Sequence, residues 1–301
     1  MYDFDMVYVD TIDVCQLRCP TCVRGSRAML NTSRSMPIEK FSQIIEKLAL
    51  EKTRKIGLYN WTEPFLNRKL EDYILIVKKH GILCDLSSTL SLRKIPNLTA
   101  CLDAGVDSIT ISNSGTTQEI YEKNHVGGVL EYVMNHMETI SRHIKEKPLT
   151  TSVTFRFIKF NHNIHQLDQA KLLADRLGFL FEQIEGFGNI NHDLSFMSDD
   201  WYRKEAITGK PVAVEDRKIC GLMVGQSTID SSGDVYLCCA VPSTPYFKIG
   251  AHLDLSEPEI LQKKLAHPYC RVCTFPRRHP SQREMERVQF SQINNAVCEI
   301  K

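Results

Sequence analysis

Cys15, Cys19 and Cys22 stand in one short run, Cys15-Gln16-Leu17-Arg18-Cys19-Pro20-Thr21-Cys22. A C-x3-C-x2-C spacing on a single loop lets three thiolates wrap one cubane iron–sulfur cluster. They hold three irons and leave the fourth open to bind and reduce a small molecule. Structural zinc asks for four ligands, usually as paired C-x2-C units, and no fourth ligand is nearby. A disulfide framework belongs to an oxidising compartment, and Met1-Tyr2-Asp3-Phe4-Asp5 is acidic, unlike a secretion leader.

A second set lies towards the other end. Cys220, Gly233 and Cys238 read C-x12-G-x4-C, and Cys270-Arg271-Val272-Cys273 adds a C-x2-C pair. Ser231-Ser232-Gly233-Asp234 is a turn signature between two β-type runs, 227–230 and 235–239, so a hairpin would carry Cys220 and Cys238 towards one site. Four thiolates in this order can fully ligate a cubane cluster or a zinc ion. Cys239 puts one more thiol beside that site, either facing a substrate or packing as a small residue in the hairpin. Cys84 and Cys101 fall in core patterns and read as buried, inert thiols, whereas Cys298 has no pattern around it.

The elements between these groups must position them. Residues 6–13 alternate as a strand and stop at the cysteine loop. Strands are further expected over 55–59, 83–86, 108–111, 152–158 and 180–184. Pro37 suits a first helical turn, with Phe41, Ile44, Ile45 and Leu48 on one face. Further helical stripes run over 70–80, 95–104, 129–144 and 165–177, with Gly81, Gly105 and Gly178 as stops. Six βα units in a row imply a parallel sheet with right-handed crossovers, whose active site gathers at the carboxyl ends of the strands. There the polar residues fall: the cysteine loop, Asn60-Trp61-Thr62-Glu63-Pro64, Ser87-Ser88-Thr89, Ser112-Asn113-Ser114-Gly115, Phe160-Asn161 and Glu185-Gly186.

The chain has 301 residues, 43% hydrophobic, ample for a large core plus a smaller unit. A net charge of +1 points to no polyanionic partner such as nucleic acid. Apolar runs such as 73–77 are far too short to span a bilayer, so no membrane role is expected. Eleven cysteines in a reducing, cytoplasmic setting argue for metal or catalysis. His162 and His165 read as solvated loop histidines. Arg277, Arg278, Arg283 and Arg287 read as a solvated helix face.

The N-terminal cysteine run resembles the signature of the radical S-adenosylmethionine (radical SAM) superfamily. The resemblance implies that SAM chelates the open iron of a [4Fe–4S] cluster. One electron then splits SAM into methionine and a 5′-deoxyadenosyl radical, which removes a substrate C–H hydrogen. It implies a partial (β/α)6 TIM-like barrel. Glu63-Pro64 resembles the end of the family's Gly-Gly-Glu-Pro motif, which contacts the SAM amine, with Trp61 and Thr62 in place of the glycines. Ser112-Asn113-Ser114-Gly115, with Tyr121 and Gly127-Gly128, resembles the Ser-Ile-Asp-Gly segment that helps hold SAM. The family's arginine is missing near Asn124-His125. Arg156 either supplies that cation or makes an ion pair in the core. Ser87-Ser88-Thr89 matches its family counterpart poorly, and its role is open.

Cys220, Cys238, Cys270 and Cys273 resemble the ligands of a twitch domain, a shortened SPASM domain with an auxiliary [4Fe–4S] cluster. The implied division is a radical SAM core over 1–200, a small β-hairpin and helix auxiliary-cluster domain over 201–280, and a C-terminal helix or tail over 281–301. The leading expectation is epimerisation, with Cys239 returning a hydrogen atom to the face opposite abstraction, as in epimerases of similar layout. Two alternatives are radical alcohol oxidation with the auxiliary cluster as electron acceptor, and a non-enzymatic zinc- or iron-binding protein. The chain begins almost at its first strand, which favours a small natural-product substrate such as a sugar or aminocyclitol, with a short peptide as the other option. The family implies a flavodoxin or ferredoxin as electron donor.

Overall fold

The computed structural model describes residues 6–25, 32–186 and 220–273. Strands β1 (Met6–Val9), β2 (Lys55–Gly57), β3 (Leu83–Ser88), β4 (Ser108–Asn113), β5 (Ser152–Lys159) and β6 (Leu180–Glu185) pair in sequence order, every ladder parallel. Between them run α1 (Ile38–Leu50), α2 (Leu70–Lys79), α3 (Leu98–Asp103), α4 (Gln118–Asn124), α5 (Leu130–Glu146) and α6 (Leu167–Leu177). This is the expected α/β fold, six parallel strands in a partial barrel.

The helices form because each has one apolar stripe to bury. Phe41, Ile44, Ile45 and Leu48 of α1, and Leu70, Tyr73, Ile74 and Val77 of α2, pack inward at helical spacing. Gly178 ends α6 in the left-handed region, at φ 76°, where a side chain would be strained. The helix expected from residue 95 starts at Leu98, because Pro96 holds its predecessor extended. The strand expected over 6–13 leaves the ladder after Val9. Helix α4 is an addition: it buries only Tyr121 and Asn124, too thin a stripe to show as a period.

The two faces of the strands differ in kind. Val7, Val9, Ile56, Cys84, Leu86, Ile109, Ile111, Val153, Phe155 and Phe157 are buried among the helices. Their neighbours in sequence point to the concave side: Tyr8, Lys55, Asp85, Ser87, Thr110, Ser112, Thr154, Arg156 and Glu182. Closed parallel barrels fill that interior with branched apolar side chains. Here it is lined with hydroxyls, phenols and charges, and is only half-buried.

The sheet continues past β6 by way of its other end. Strand β7 (Gln226–Ile229) pairs parallel to β1, from Met6↔Gln226 to Val9↔Ile229. Strands β8 (Asp234–Tyr236) and β9 (Lys248–Ala251) follow antiparallel, giving the order β6-β5-β4-β3-β2-β1-β7-β8-β9. The hairpin expected from the Ser231–Asp234 turn is present, while β9 and the following helix are additions to the expected elements. That helix, α7 (Glu257–Ala266), opens on a capping box in which Ser256 and Glu259 each satisfy the other's backbone N–H. Cys84 and Cys101 are fully buried. Expectations for 201–219 and 281–301, and for Arg277, Arg278 and Cys298, lie outside the described residues. No helix among the described residues is long and apolar enough to cross a membrane.

Phe155, fully buried on the helix side of β5, tests this division of faces. Phe155→Ala is expected to cost about 3–5 kcal/mol, read from the urea midpoint. Thr154→Ala, its neighbour on the concave side, should change stability by less than about 1 kcal/mol.

Candidate functional site

At the carboxyl ends of the strands the loops enclose a cleft of about 290 Å³. Cys15, Cys19 and Cys22 line it together with Asn60, Trp61, Thr62, Glu63, Ser88, Thr89, Ser112, Asn124 and His125. Burial pushes the Cys15 thiol up to about 12 and raises Cys19 and Cys22 as well. Three half-buried thiols on one loop beside open space could hold a cluster that leaves one iron open.

Two buried charges fix the loops that bear these groups. Asp10, the first residue beyond β1, accepts from Asn60 N–H at 2.8 Å, Thr62 hydroxyl at 2.6 Å and Trp61 N–H at 3.4 Å. It thereby pins the loop after β2. Arg24, just past the cysteines, donates from Nε to the Trp61 carbonyl at 2.8 Å and pairs with Asp13 at 2.6 Å. Neither residue stood out in the sequence, since an aspartate ending a strand and a lone arginine in a loop have no pattern around them. Gln16 adds a tie from the cysteine loop to the Ser91 carbonyl at 3.1 Å, and Thr21 one to Asn124 at 3.0 Å.

Glu63 is 2% exposed. Its carboxylate accepts from the Ser88 hydroxyl at 2.7 Å, from Thr89 N–H and hydroxyl at 3.1 and 3.0 Å, and from Phe65 N–H at 3.4 Å. The Ser87-Ser88-Thr89 run thus gains a role: its last two residues hold Glu63. Burial raises the Glu63 carboxyl above its ordinary value, against these donors. Among the described residues no cation pairs with it. A buried carboxylate facing a cleft without a cation is matched by a cationic ligand.

The remaining expected contacts divide. Ser112 lines the cleft. Asn113 is buried, and its side-chain oxygen is taken by Gly115 N–H at 2.7 Å, which makes it a turn-former. Arg156 pairs with Glu182 on the neighbouring strand at 2.5 Å, so its charge is already met. Where an arginine was missing, His125 lines the cleft, stacked on Tyr121 at 4.7 Å and bonded through Nδ1 to Ser114 at 2.7 Å. Burial pushes it down to about 3, so it is neutral. His165 is exposed, whereas His162 stacks on Phe160.

A second cavity is lined by all four later cysteines, Cys220, Cys238, Cys270 and Cys273, with Met223, Leu237, Ala240, Val241 and Tyr269. Beside it Lys264 of α7 is fully buried, its ammonium donating to the Gln226 carbonyl at 2.8 Å and the Met223 carbonyl at 3.5 Å. Burial pushes it down to about 8, partly offset by the nearby Cys238, Cys239 and Cys270. Among the described residues no three His, Cys, Asp or Glu side chains close to the spacing of a single bound ion. Cys239 is not among the residues that line this cavity. Its thiol donates to the Gln226 side-chain oxygen at 3.2 Å, and it stands near enough to the concave-side phenols Tyr8 and Tyr59 to act on their ionisation.

A family model described as "Radical SAM superfamily" matches residues 9–171. By fold the chain is similar to anSMEcpe with bound AdoMet, at TM-score 0.59 and 15% identity, over 91% of this chain and 85% of that one. It is similar to BtrN in complex with AdoMet and 2-DOIA, at TM-score 0.53 and 12% identity, over 90% and 87%. Streptococcus suis SuiB bound to precursor peptide SuiA gives TM-score 0.57 and 11% identity, over 84% of this chain and 64% of SuiB. At these identities the likeness is one of fold. No curated protein matches the chain by sequence.

Burial pushes Asp10 up to about 6 from 3.8. A carboxyl raised on folding stabilises the protein fully below its unfolded value and loses that contribution as pH rises through the folded one. Stability should therefore fall by about 3 kcal/mol from this group between pH 4 and 7. Asp10→Asn should remove that slope in urea titrations run across the window.

Proposed function

This chain belongs to the radical SAM superfamily, and on that premise we propose that it epimerises one carbon of a small polar substrate, with Cys239 as the hydrogen-atom donor. Cys15, Cys19 and Cys22 hold a SAM-binding [4Fe–4S] cluster in this reading, and Cys220, Cys238, Cys270 and Cys273 hold an auxiliary one of the twitch type. Bound there, the first cluster would supply an electron for radical cleavage of SAM, and the second an electron that, with a proton from solvent, would restore the thiol of Cys239 after it has given up a hydrogen atom.

Everything else falls to side chains. Glu63 meets the SAM ammonium, which supplies the positive charge its buried carboxylate lacks. Ser88 and Thr89 hold that carboxylate in place. Ser112 and neutral His125 line the same cleft and suit the uncharged parts of the ligand. Asn113 Oδ1 is held by Gly115 N–H and Arg156 Nε by Glu182, so the Asn113 amide and the other guanidinium N–H groups are the donors these two residues bring to the ligand.

The observation that carries the choice of reaction is the place of Cys239. Epimerisation needs a weak S–H facing the substrate from the side opposite SAM. The thiol donates to the side chain of Gln226 at 3.2 Å, on the strand that pairs with β1. Radical oxidation, the alternative, gives it no task. For the second cysteine set, four thiols around one cavity, in the order of a twitch domain, support a cluster. The buried Lys264 ammonium favours a site of net negative charge.

For the substrate, the concave wall offers hydroxyls and paired charges, among them Lys55–Asp85 at 2.9 Å and Arg156–Glu182. Such a wall suits a polyhydroxylated or zwitterionic compound of the sugar or aminocyclitol kind. A short peptide is the second option, since the fold relative SuiB is named as binding its precursor peptide. A flavodoxin or ferredoxin would deliver the external electron.

Anaerobic reconstitution should give about eight irons per chain, and about four in the Cys15/Cys19/Cys22→Ala variant. About four irons plus one zinc in the unaltered protein would remove the auxiliary cluster. Glu63→Gln is expected to weaken SAM binding by about 10–100-fold, the worth of a charge-assisted hydrogen bond, measured by equilibrium dialysis. Turnover in D2O should place deuterium on the product carbon, and Cys239→Ala should form 5′-deoxyadenosine without epimer. Product free of solvent deuterium would sink the epimerase reading.

A further inference from the structure

Trp61 links the two cavities by one hydrogen bond. It lines the cleft of Cys15, Cys19 and Cys22. Its indole N–H donates to the carbonyl of Val241 at 2.9 Å, and Val241 lines the cavity of the second cysteine set. Val241 is 2% exposed, and its own N–H reaches the Cys238 carbonyl at 3.4 Å. The turn closed by that bond, from Cys238 to Val241, contains Cys239.

The backbone at Trp61 is held from both sides. Asp10 accepts from its N–H, and Arg24 donates to its carbonyl. The indole therefore projects from a fixed point on the barrel. The turn it meets starts just past Leu237, whose N–H to the Phe247 carbonyl at 3.0 Å is the last cross-strand bond after β8, so strand pairing does not extend to Cys239. We propose that Trp61 is a positioning residue for Cys239: its indole N–H latches the Cys238–Val241 turn against the loop after β2 and so holds the Cys239 thiol against Gln226.

The hydrogen-donor role of Cys239 rests on the reading above, but the latch does not, and it can be tested without turnover. The reconstituted protein would be treated with iodoacetamide under anaerobic conditions, and modification of each cysteine followed by fragment mass spectrometry. Trp61→Phe keeps a ring and deletes the N–H. Cys239 in that variant is expected to react about fivefold faster than in the unaltered protein, the equilibrium worth of one neutral hydrogen bond. Buried Cys84 should remain unmodified in both. Equal rates at Cys239 would overturn the latch. Should Cys84 also become reactive, the variant has loosened globally, and benzothienylalanine at position 61 decides instead, since it keeps the bicyclic shape and removes only the donor. No acceleration at Cys239 in that protein would likewise overturn the proposal. Modification of Cys220, Cys238, Cys270 or Cys273 in the unaltered protein would count against the auxiliary cluster, leaving the comparison at Cys239 intact.

Discussion

Two buried charges, Asp10 and Arg24, hold the loop after β2, and the cleft depends on that loop. It carries Trp61, Thr62 and Glu63 within three residues, and a loop of such length has no fixed shape of its own. The Asp10 carboxylate gathers the amides and hydroxyl on one side. The Arg24 guanidinium takes the Trp61 carbonyl on the other and is itself neutralised by Asp13. Burying an aspartate costs enough to raise its pKa, so the fold spends stability on this arrangement. What it obtains is a fixed direction for Glu63 and for the indole of Trp61.

The second constraint is the sheet's divided character. Parallel sheets are usually covered on both faces. Here one face is packed with Ile, Leu, Val and Phe, and the other carries Tyr8, Asp85, Thr110, Ser112, Thr154 and Arg156. Side-chain alternation makes this possible at no cost to the core, since every second residue belongs to another environment. Ion pairs between neighbouring strands, Lys55 with Asp85 and Arg156 with Glu182, keep the polar face neutral. A neutral wall rich in hydroxyls can take up a polar compound without the desolvation cost of a lone charge.

Much of this was legible in the residues alone. Phe41, Ile44, Ile45 and Leu48 announce α1 because a helix repeats its buried face every three to four residues. The βα rhythm puts the polar loops at one end of the sheet. The cysteine spacings mark two sets because a loop of a few residues brings its ends together. Longer-range facts were not legible. Nothing near Asp10 says that its carboxylate will meet amides some fifty residues on. Asn113 bonds Gly115 N–H and Arg156 pairs with Glu182 across the sheet, and such partnerships are visible only in three dimensions. Lys264 and the pairing of β7 with β1 are of the same kind, local residues given meaning by distant partners.

That last pairing bears on how the chain can be assembled. β1 is an interior strand of the finished sheet, flanked by β2 and β7. Its second neighbour is synthesised last among the three, after most of the chain has emerged. Until residues 226–229 arrive, the open edge of Met6–Val9 is a row of unsatisfied amides and carbonyls, the kind of edge that recruits another molecule. Such non-local closure is slow, because loop entropy must be overcome before the ladder forms. A fragment ending before β7 would carry that edge permanently. The barrel and the cysteine-bearing C-terminal segment therefore share one folding fate, and cutting the chain between them trades an interior strand for a site of aggregation.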